Sequence, residues 1–193
     1  MDYTPNILKE SSSGFFSCSI RDEMLRQREL ECVGEINAET VYSLCRQLRY
    51  LQHEDPEGDI TLFINSPGGE VSSGLALYDV MKAVSCPICT VCLGTAASMG
   101  AVLFAAGDRR DILTHGRVMI HDPLISQGVG GSALELETIS KNLLETRRVL
   151  CSVLADCTAR SLEEIYRCTA RDTWFTAEAA VDFGLADRII TAI

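Results

Sequence analysis

The chain lacks any excess of basic charge. Its 17 Lys and Arg stand against 27 Asp and Glu, a formal net charge of −10. That excludes nucleic acid and anionic membrane surfaces as natural partners. No apolar run approaches the ~20 residues that span a bilayer. Residues 1–13 are polar and do not show the basic-then-apolar layout of a signal peptide. The expected setting is the cytoplasm. Internal repeats and low-complexity stretches are missing too. Histidine is scarce, with three in the chain. One cysteine is conspicuously missing: Cys86, Cys89 and Cys92 form C-x-x-C-x-x-C, but a ferredoxin-type run needs a fourth at position 96, where Ala96 stands. The nine cysteines are odd in number and not spaced like a small secreted scaffold. The segment ICTVCL reads as a short buried strand in which Cys serves as a small hydrophobe. No metal or cofactor is expected.

What is present fits one domain. The chain has 193 residues, 47% of them hydrophobic, enough for a sizeable core without disulfides. Strand-like and helix-like segments alternate, which favours an α/β class. Residues 1–20 include Ser11-Ser12-Ser13-Gly14, show no clear period and read as a mobile arm. Strands are predicted at 30–33, 60–64, 88–93 and 117–120. Helices are predicted at 38–51, 71–84, 98–106 and 133–157, the first from apolar Val41, Leu44, Cys45, Leu48 and Leu51. Gly128, Gly130 and Gly131 make residues 125–132 permissive. Ser161 and Glu164 have capping-box spacing, and Thr176 caps a last helix that Gly184 ends.

Two glycine-bearing turns could carry chemistry. In GTAASMG, residues 94–100, Ser98 falls between a strand and a helix. Such a turn exposes a hydroxyl nucleophile, and the helix N-terminus favours developing negative charge. Taken alone, Ser98 is more simply an N-cap. In NSPGG, residues 65–69, Gly68 and Gly69 can turn their amides outward to form half of an oxyanion hole. Taken alone, this is an ordinary tight turn. His121 closes an apolar strand and is the best placed histidine; His53 and His115 lie in polar surroundings. Asp122 follows it but points to the opposite face of a continuing strand. Asp172, in RDTWF, is read as a partly buried acid able to orient a histidine.

Residues 64–79 (INSPGGEVSSGLALYD), 95–101 (TAASMGA), 118–124 (VMIHDPL) and 171–185 (RDTWFTAEAAVDFGL) resemble, in order and near the same spacing, the motifs of ClpP, the proteolytic subunit of the caseinolytic Clp protease. The resemblance covers residues 7–190. It implies an α/β spiral of repeated ββα units, of the type ClpP shares with crotonases, with a protruding handle. The arm would be residues 1–20 and the single peptidase domain 21–193, with the handle at about 124–157. It implies Ser98 as nucleophile, His121 as base and Asp172 as the third triad member. Gly68 and Met99 would supply the oxyanion-hole amides. Gly69, Ile125, Ser126, Gln127 and Gly128 would bind the substrate backbone. The implied assembly is two stacked heptameric rings fed with unfolded protein by an AAA+ ATPase, which alone uses ATP.

Departures from the family pattern raise further expectations. Asp122 replaces the usual Gln, and a carboxylate beside the base should favour imidazolium. The handle is about two residues longer than usual, and Ile125-Ser126 replace two glycines. Ala170 replaces an acid that pairs with the arginine matching Arg171. Phe15-Phe16 fall where the axial loop is usually charged. Thr61 and Phe63 replace two aromatics of the ATPase-docking pocket. A second ClpP-type subunit could therefore be needed for activity. A crotonase-type acyl-CoA hydratase or isomerase is the alternative of a different class; it has no need of Ser98, His121 and Asp172 in these contexts.

Overall fold

In the computed structural model, which describes residues 5–12, 14–125 and 128–193, the chain opens with regular structure. Strands β1 (Asn6–Ser11) and β2 (Gly14–Ser19) pair as an antiparallel ribbon. Helix α1 (Ile20–Arg26) follows, opened by a reciprocal capping box between Ser19 and Asp22. This corrects the reading of residues 1–20 as an arm without pattern. The ribbon is anchored to the helix: Lys9 pairs with Glu23, and Arg26 lies 5.6 Å from the centre of the Phe16 ring. Side-chain partners five or more residues away leave no period for a sequence window to detect.

The central strands are β3 (Glu29–Ile36), β4 (Ile60–Gly69) and β5 (Ile88–Ala97). They are parallel, with Cys32 beside Ile64 and Ile64 beside Cys92. Two helices cover one face. Helix α2 (Ala38–Glu54) buries Val41, Leu44, Leu48 and Leu51, and Asn37 caps it by accepting the Glu39 and Thr40 N–H groups. Helix α3 (Val71–Ala83) buries Leu77 and Met81.

Helix α4 (Met99–Ala105) is buried along its whole length. A helix apolar all round belongs inside a core, and Leu103 and Phe104 have no exposed surface. Strands β6 (Arg109–Leu113), β7 (Arg117–Ile120), β8 (Thr173–Phe175) and β9 (Arg188–Ile190) complete the sheet. The order runs β3-β4-β5-β6-β9, parallel throughout. Strand β5 splits its pairing. Residues 89–92 pair with β6, whereas residues 95–97 pair with β7. Strand β8 adds to β7 antiparallel. The first half of helix α5 (Ala133–Thr158) is largely exposed, and its buried residues begin at Leu150. Helices α6 (Leu162–Thr169) and α7 (Ala177–Phe183) follow. Ser161 caps α6 by accepting the Glu164 N–H, but the Glu164 carboxylate turns to Arg160, so the expected box is only half made.

The strands are longer than their apolar runs. NSPGG does not form a turn beyond β4; it is the end of β4, with Gly68 beside Glu35 and Gly69 beside Ile36. Likewise residues 94–97 continue β5. Small polar residues can extend a strand wherever a neighbour supplies the ladder, and register with β3 and β7 does so here. The cysteine run also takes its place in this frame. Cys89 and Cys92 are three apart on one strand and so face opposite sides of the sheet. Cys92 lies in the main core, and Cys89 packs with Phe63 and Val91 on the other face. Cys86 precedes the strand and accepts a hydrogen bond from Arg28. Among the described residues, no helix is long and apolar enough to cross a membrane.

Because Phe104 fills the centre of the buried helix, Phe104→Ala should lower stability by about 3–5 kcal/mol. A thermal or urea unfolding midpoint matching the parent protein would contradict its placement.

Candidate active site

The split pairing of β5 builds the site. Beyond Ala97, which stands beside Met119, the chain turns sharply at Ser98. Ser98 has φ 55° and ψ −122°, a backbone state that costs a non-glycine residue about 1–3 kcal/mol. It is held there by its neighbours. The Ser98 N–H donates to Met119 O at 2.8 Å, and Ser98 O accepts from Ala101 at 3.0 Å and Val102 at 3.3 Å.

Ser98 occupies the N-cap position of α4, but its side chain makes no capping hydrogen bond. Instead its hydroxyl oxygen lies 2.7 Å from Nε2 of His121. With the imidazole neutral and protonated on Nδ1, the hydroxyl donates to Nε2. The simpler reading of Ser98 as a helix cap is thus replaced by a serine–histidine pair.

His121 follows the last residue of β7, and its side chain is 15% exposed. Its Nδ1 faces Oδ1 of Asp172 at 3.4 Å, long for a hydrogen bond. The Asp172 side chain is 67% exposed, which corrects its reading as a partly buried acid. It lies in the short link between α6 and β8, and the antiparallel pairing of β8 with β7 brings it alongside the histidine.

Gly68 closes the other side. Its φ of +99° favours glycine, and a Cβ there would lie 2.7 Å from Ser98 Cβ and 2.8 Å from Ala97 O. Its amide neighbours that of Met99, the first residue of α4, whose N–H has no acceptor within the helix. In this structure the Gly68 N–H donates to Ser66 Oγ at 3.1 Å. That hydroxyl in turn donates to Gly34 O at 2.6 Å. Ser66 is buried and ties the β3 bulge at Gly34 to the glycine turn, a role that sequence reading missed. Gly69 abuts β3 so closely that a Cβ would meet Ile36 O at 2.1 Å.

An apolar depression opens beside Ser98 and His121, with Val71, Met99, Ile120, Leu150, Cys151 and Leu154 among its lining residues. Cys151 is 1% exposed, and burial pushes its thiol above the ordinary range. A protonated thiol there is a poor nucleophile.

The substrate-binding candidates fare unequally. Ile125 and Gly128 are exposed and belong to no strand. Ser126 and Gln127 lie outside the described residues. Among the described residues from 125 to 132 no strand is formed. A lone strand has no ladder partner for its backbone groups and gains no stability until one arrives.

Asp122 departs from expectation as well. Its carboxylate pairs with Arg147 of α5 at 2.6 Å. Arg147, not His121, is thus its counter-charge, and the expected push of His121 toward imidazolium loses its basis.

Residues 12–192 match the family described as Clp protease. The chain belongs to the Clp protease family and is a Clp-type protease subunit. Membership sets aside the acyl-CoA alternative, and the mixed α/β fold with its mostly parallel sheet agrees with it.

Gly68→Ala should displace Ser98 and Met99. The reaction of Ser98 with a fluorophosphonate should slow by about a hundredfold or more, the scale of one lost oxyanion donor. An unchanged labelling rate in the folded variant would show that the close contact is dispensable.

Proposed function

We propose that this chain is a serine endopeptidase subunit that cleaves unfolded polypeptide through Ser98, His121 and Asp172. The observation that carries the reading is the 2.7 Å contact between Ser98 Oγ and His121 Nε2, made by a serine held at positive φ. His121 takes the hydroxyl proton as Ser98 attacks the peptide carbonyl. Carbon becomes tetrahedral and its oxygen negative. The Gly68 and Met99 amides receive that oxyanion, Gly68 exchanging its Ser66 acceptor for the substrate oxygen. One such donor lowers the barrier by about 3 kcal/mol. His121 then protonates the leaving amine. Water, deprotonated by the same imidazole, releases the acyl group. Asp172 holds the Nδ1 tautomer and stabilises the imidazolium.

Substrate is proposed to add as an extended strand along Gly69, Ile125, Ser126, Gln127 and Gly128, so that main-chain hydrogen bonds give affinity with little sequence preference. The chemistry needs no metal or cofactor. Such a site in an open particle would threaten every loosely folded neighbour. Family membership supports enclosure in rings fed by a Clp ATPase; the reading takes these as stacked heptamers with an AAA+ partner in the cytoplasm.

One observation favours a conditional form of this reading. Asp172 is exposed and stands 3.4 Å from Nδ1. In water a carboxylate at that distance orients an imidazole weakly. A covering neighbour subunit, of this chain or of a second ClpP-type chain, would dry and shorten the contact. The altered docking positions Thr61 and Phe63 and the absence of an acid at Ala170 point the same way.

Hydrolysis of a short fluorogenic peptide by the purified chain tests the reading. Ser98→Ala should remove at least about four orders of magnitude of kcat, and Asp172→Asn about two to four. Equal hydrolysis by Ser98→Ala and parent protein, in rings of this chain alone and in a mixed ring alike, would refute it. Labelling of Ser98 by a β-lactone in a mixed ring, but not in rings of this chain alone, would identify the conditional form.

A further inference from the structure

The residue after the histidine is tied into the fold more heavily than a loop residue needs to be. The Asp122 N–H donates to Thr169 O of α6 at 2.7 Å. Its Oδ2 accepts from Arg147 Nε of α5 at 2.6 Å. Its Oδ1 is buried and has no hydrogen-bond partner. The Arg147 guanidinium is fixed in turn. It lies 4.4 Å from the centre of the Tyr166 ring and donates through Nη2 to Tyr166 O at 3.3 Å. The pair thus joins three elements: the exit of β7, the long helix α5 and helix α6.

As a source of stability this arrangement is poor. Partly exposed ion pairs contribute little, and a buried oxygen left without a partner is a cost. Two apolar side chains would pack the same space better. Its position suggests another purpose. Arg147 stands just before Leu150, where α5 passes from its exposed half into the core. A shift of the exposed half reaches the core through this residue.

Resting on the serine-peptidase reading, we propose that Asp122–Arg147 is a positioning clamp: α5 holds the His121 backbone in register with Ser98 through it, and the guanidinium keeps the neighbouring carboxylate from acting as a counter-ion to the imidazole. The other groups facing this corner do not replace Arg147. Arg148 is committed to Glu145 at 2.6 Å. Cys151 is a buried thiol in contact with Thr169 Oγ1. Asp172 approaches the ring from its Nδ1 side and carries the same sign as Asp122. Without Arg147, Asp122 becomes a second carboxylate available to His121. An imidazolium so favoured cannot accept the Ser98 proton until the pH is higher. The sign follows: the acid limb of kcat/KM rises when Arg147 is lost and returns when Asp122 is neutralised too.

The test compares Arg147→Gln, Arg147→Lys, Asp122→Asn and the Asp122→Asn/Arg147→Gln double variant. Each is assayed as pH profiles of short-peptide hydrolysis, in whatever ring assembly the parent protein is active. Thermal unfolding confirms that each variant folds. Arg147→Gln should lower kcat about tenfold with KM little changed, and raise the acid limb by about half a pH unit or more. Asp122→Asn, Arg147→Lys and the double variant should keep the parent limb, so that the mutant cycle is non-additive in pH dependence. A parent-like limb in folded Arg147→Gln overturns the clamp. So does an equal loss of kcat, with no movement of the limb, in the single and double variants. If Ser98 of the parent protein is labelled by a fluorophosphonate neither in rings of this chain alone nor in a mixed ring, the peptidase reading itself fails. If the parent reacts and the variants match it, only the clamp fails.

Discussion

The hydrogen bond from the Ser98 N–H to Met119 O is the contact on which the site depends. It ends the pairing of β5 with β7 and reverses the chain into α4. A serine at φ 55° would relax into an ordinary helix cap without it. The same strand that offers Met119 O delivers His121 two residues later. Ser98 and His121 are therefore placed by one short parallel ladder rather than by two independent loops. The helix behind them is buried on all sides, so the strain at Ser98 is offset by burial of Met99, Leu103 and Phe104 rather than by local contacts.

A second consequence is that the glycines beside the site have fixed roles. Gly68 is pressed against Ser98, Ala97 O and the Met99 amide, leaving no room for a Cβ. Ser66 restrains this glycine from below through the carbonyl of Gly34. A buried hydroxyl that both donates and accepts is well suited to that task, because it releases one partner without becoming unsatisfied at the other. The Gly68 amide can thus change acceptor while β3 and β4 stay in register. Asp172 is less well held. Asp172 sits in a short exposed link with one antiparallel strand to place it. Ser98 and His121 are set by the core strands, whereas Asp172 belongs to the surface.

The long helix α5 connects these two regimes. Its buried half packs against α4 and α6 and lines the depression beside Ser98, through Leu150, Cys151 and Leu154. Its exposed half carries Leu134, Leu136 and Leu144 on the surface. Apolar residues exposed in this way fit a chain that assembles with copies of itself. Arg147 lies at the border between the halves.

Much of this was legible in the residues themselves. The periodicity of Val41, Leu44, Leu48 and Leu51 set α2, because an amphipathic helix needs only its own sequence to declare its face. The extent of α5 was legible too, though not its buried face, since Leu136 is exposed; so were the motifs around Ser98 and His121, whose order along the chain points to the family. Strand ends were not legible. NSPGG and GTAA read as turns, since small polar residues have no strand preference of their own; pairing with β3 and β7 made them strands. The N-terminal ribbon was missed because its anchoring partners, such as Glu23 for Lys9, lie far along the chain. The environment of a charge was equally out of reach. Asp172 was expected to be partly buried and is exposed. Asp122 was expected to act on His121 and is paired with Arg147, 25 residues away on another element. The sequence by itself determined which residues could do chemistry and which faces are apolar, because these follow from side-chain type and local spacing. Only the tertiary structure decided how far each strand runs, which charge meets which, and that Ser98 faces His121 rather than capping its own helix, because those depend on groups brought together across the chain.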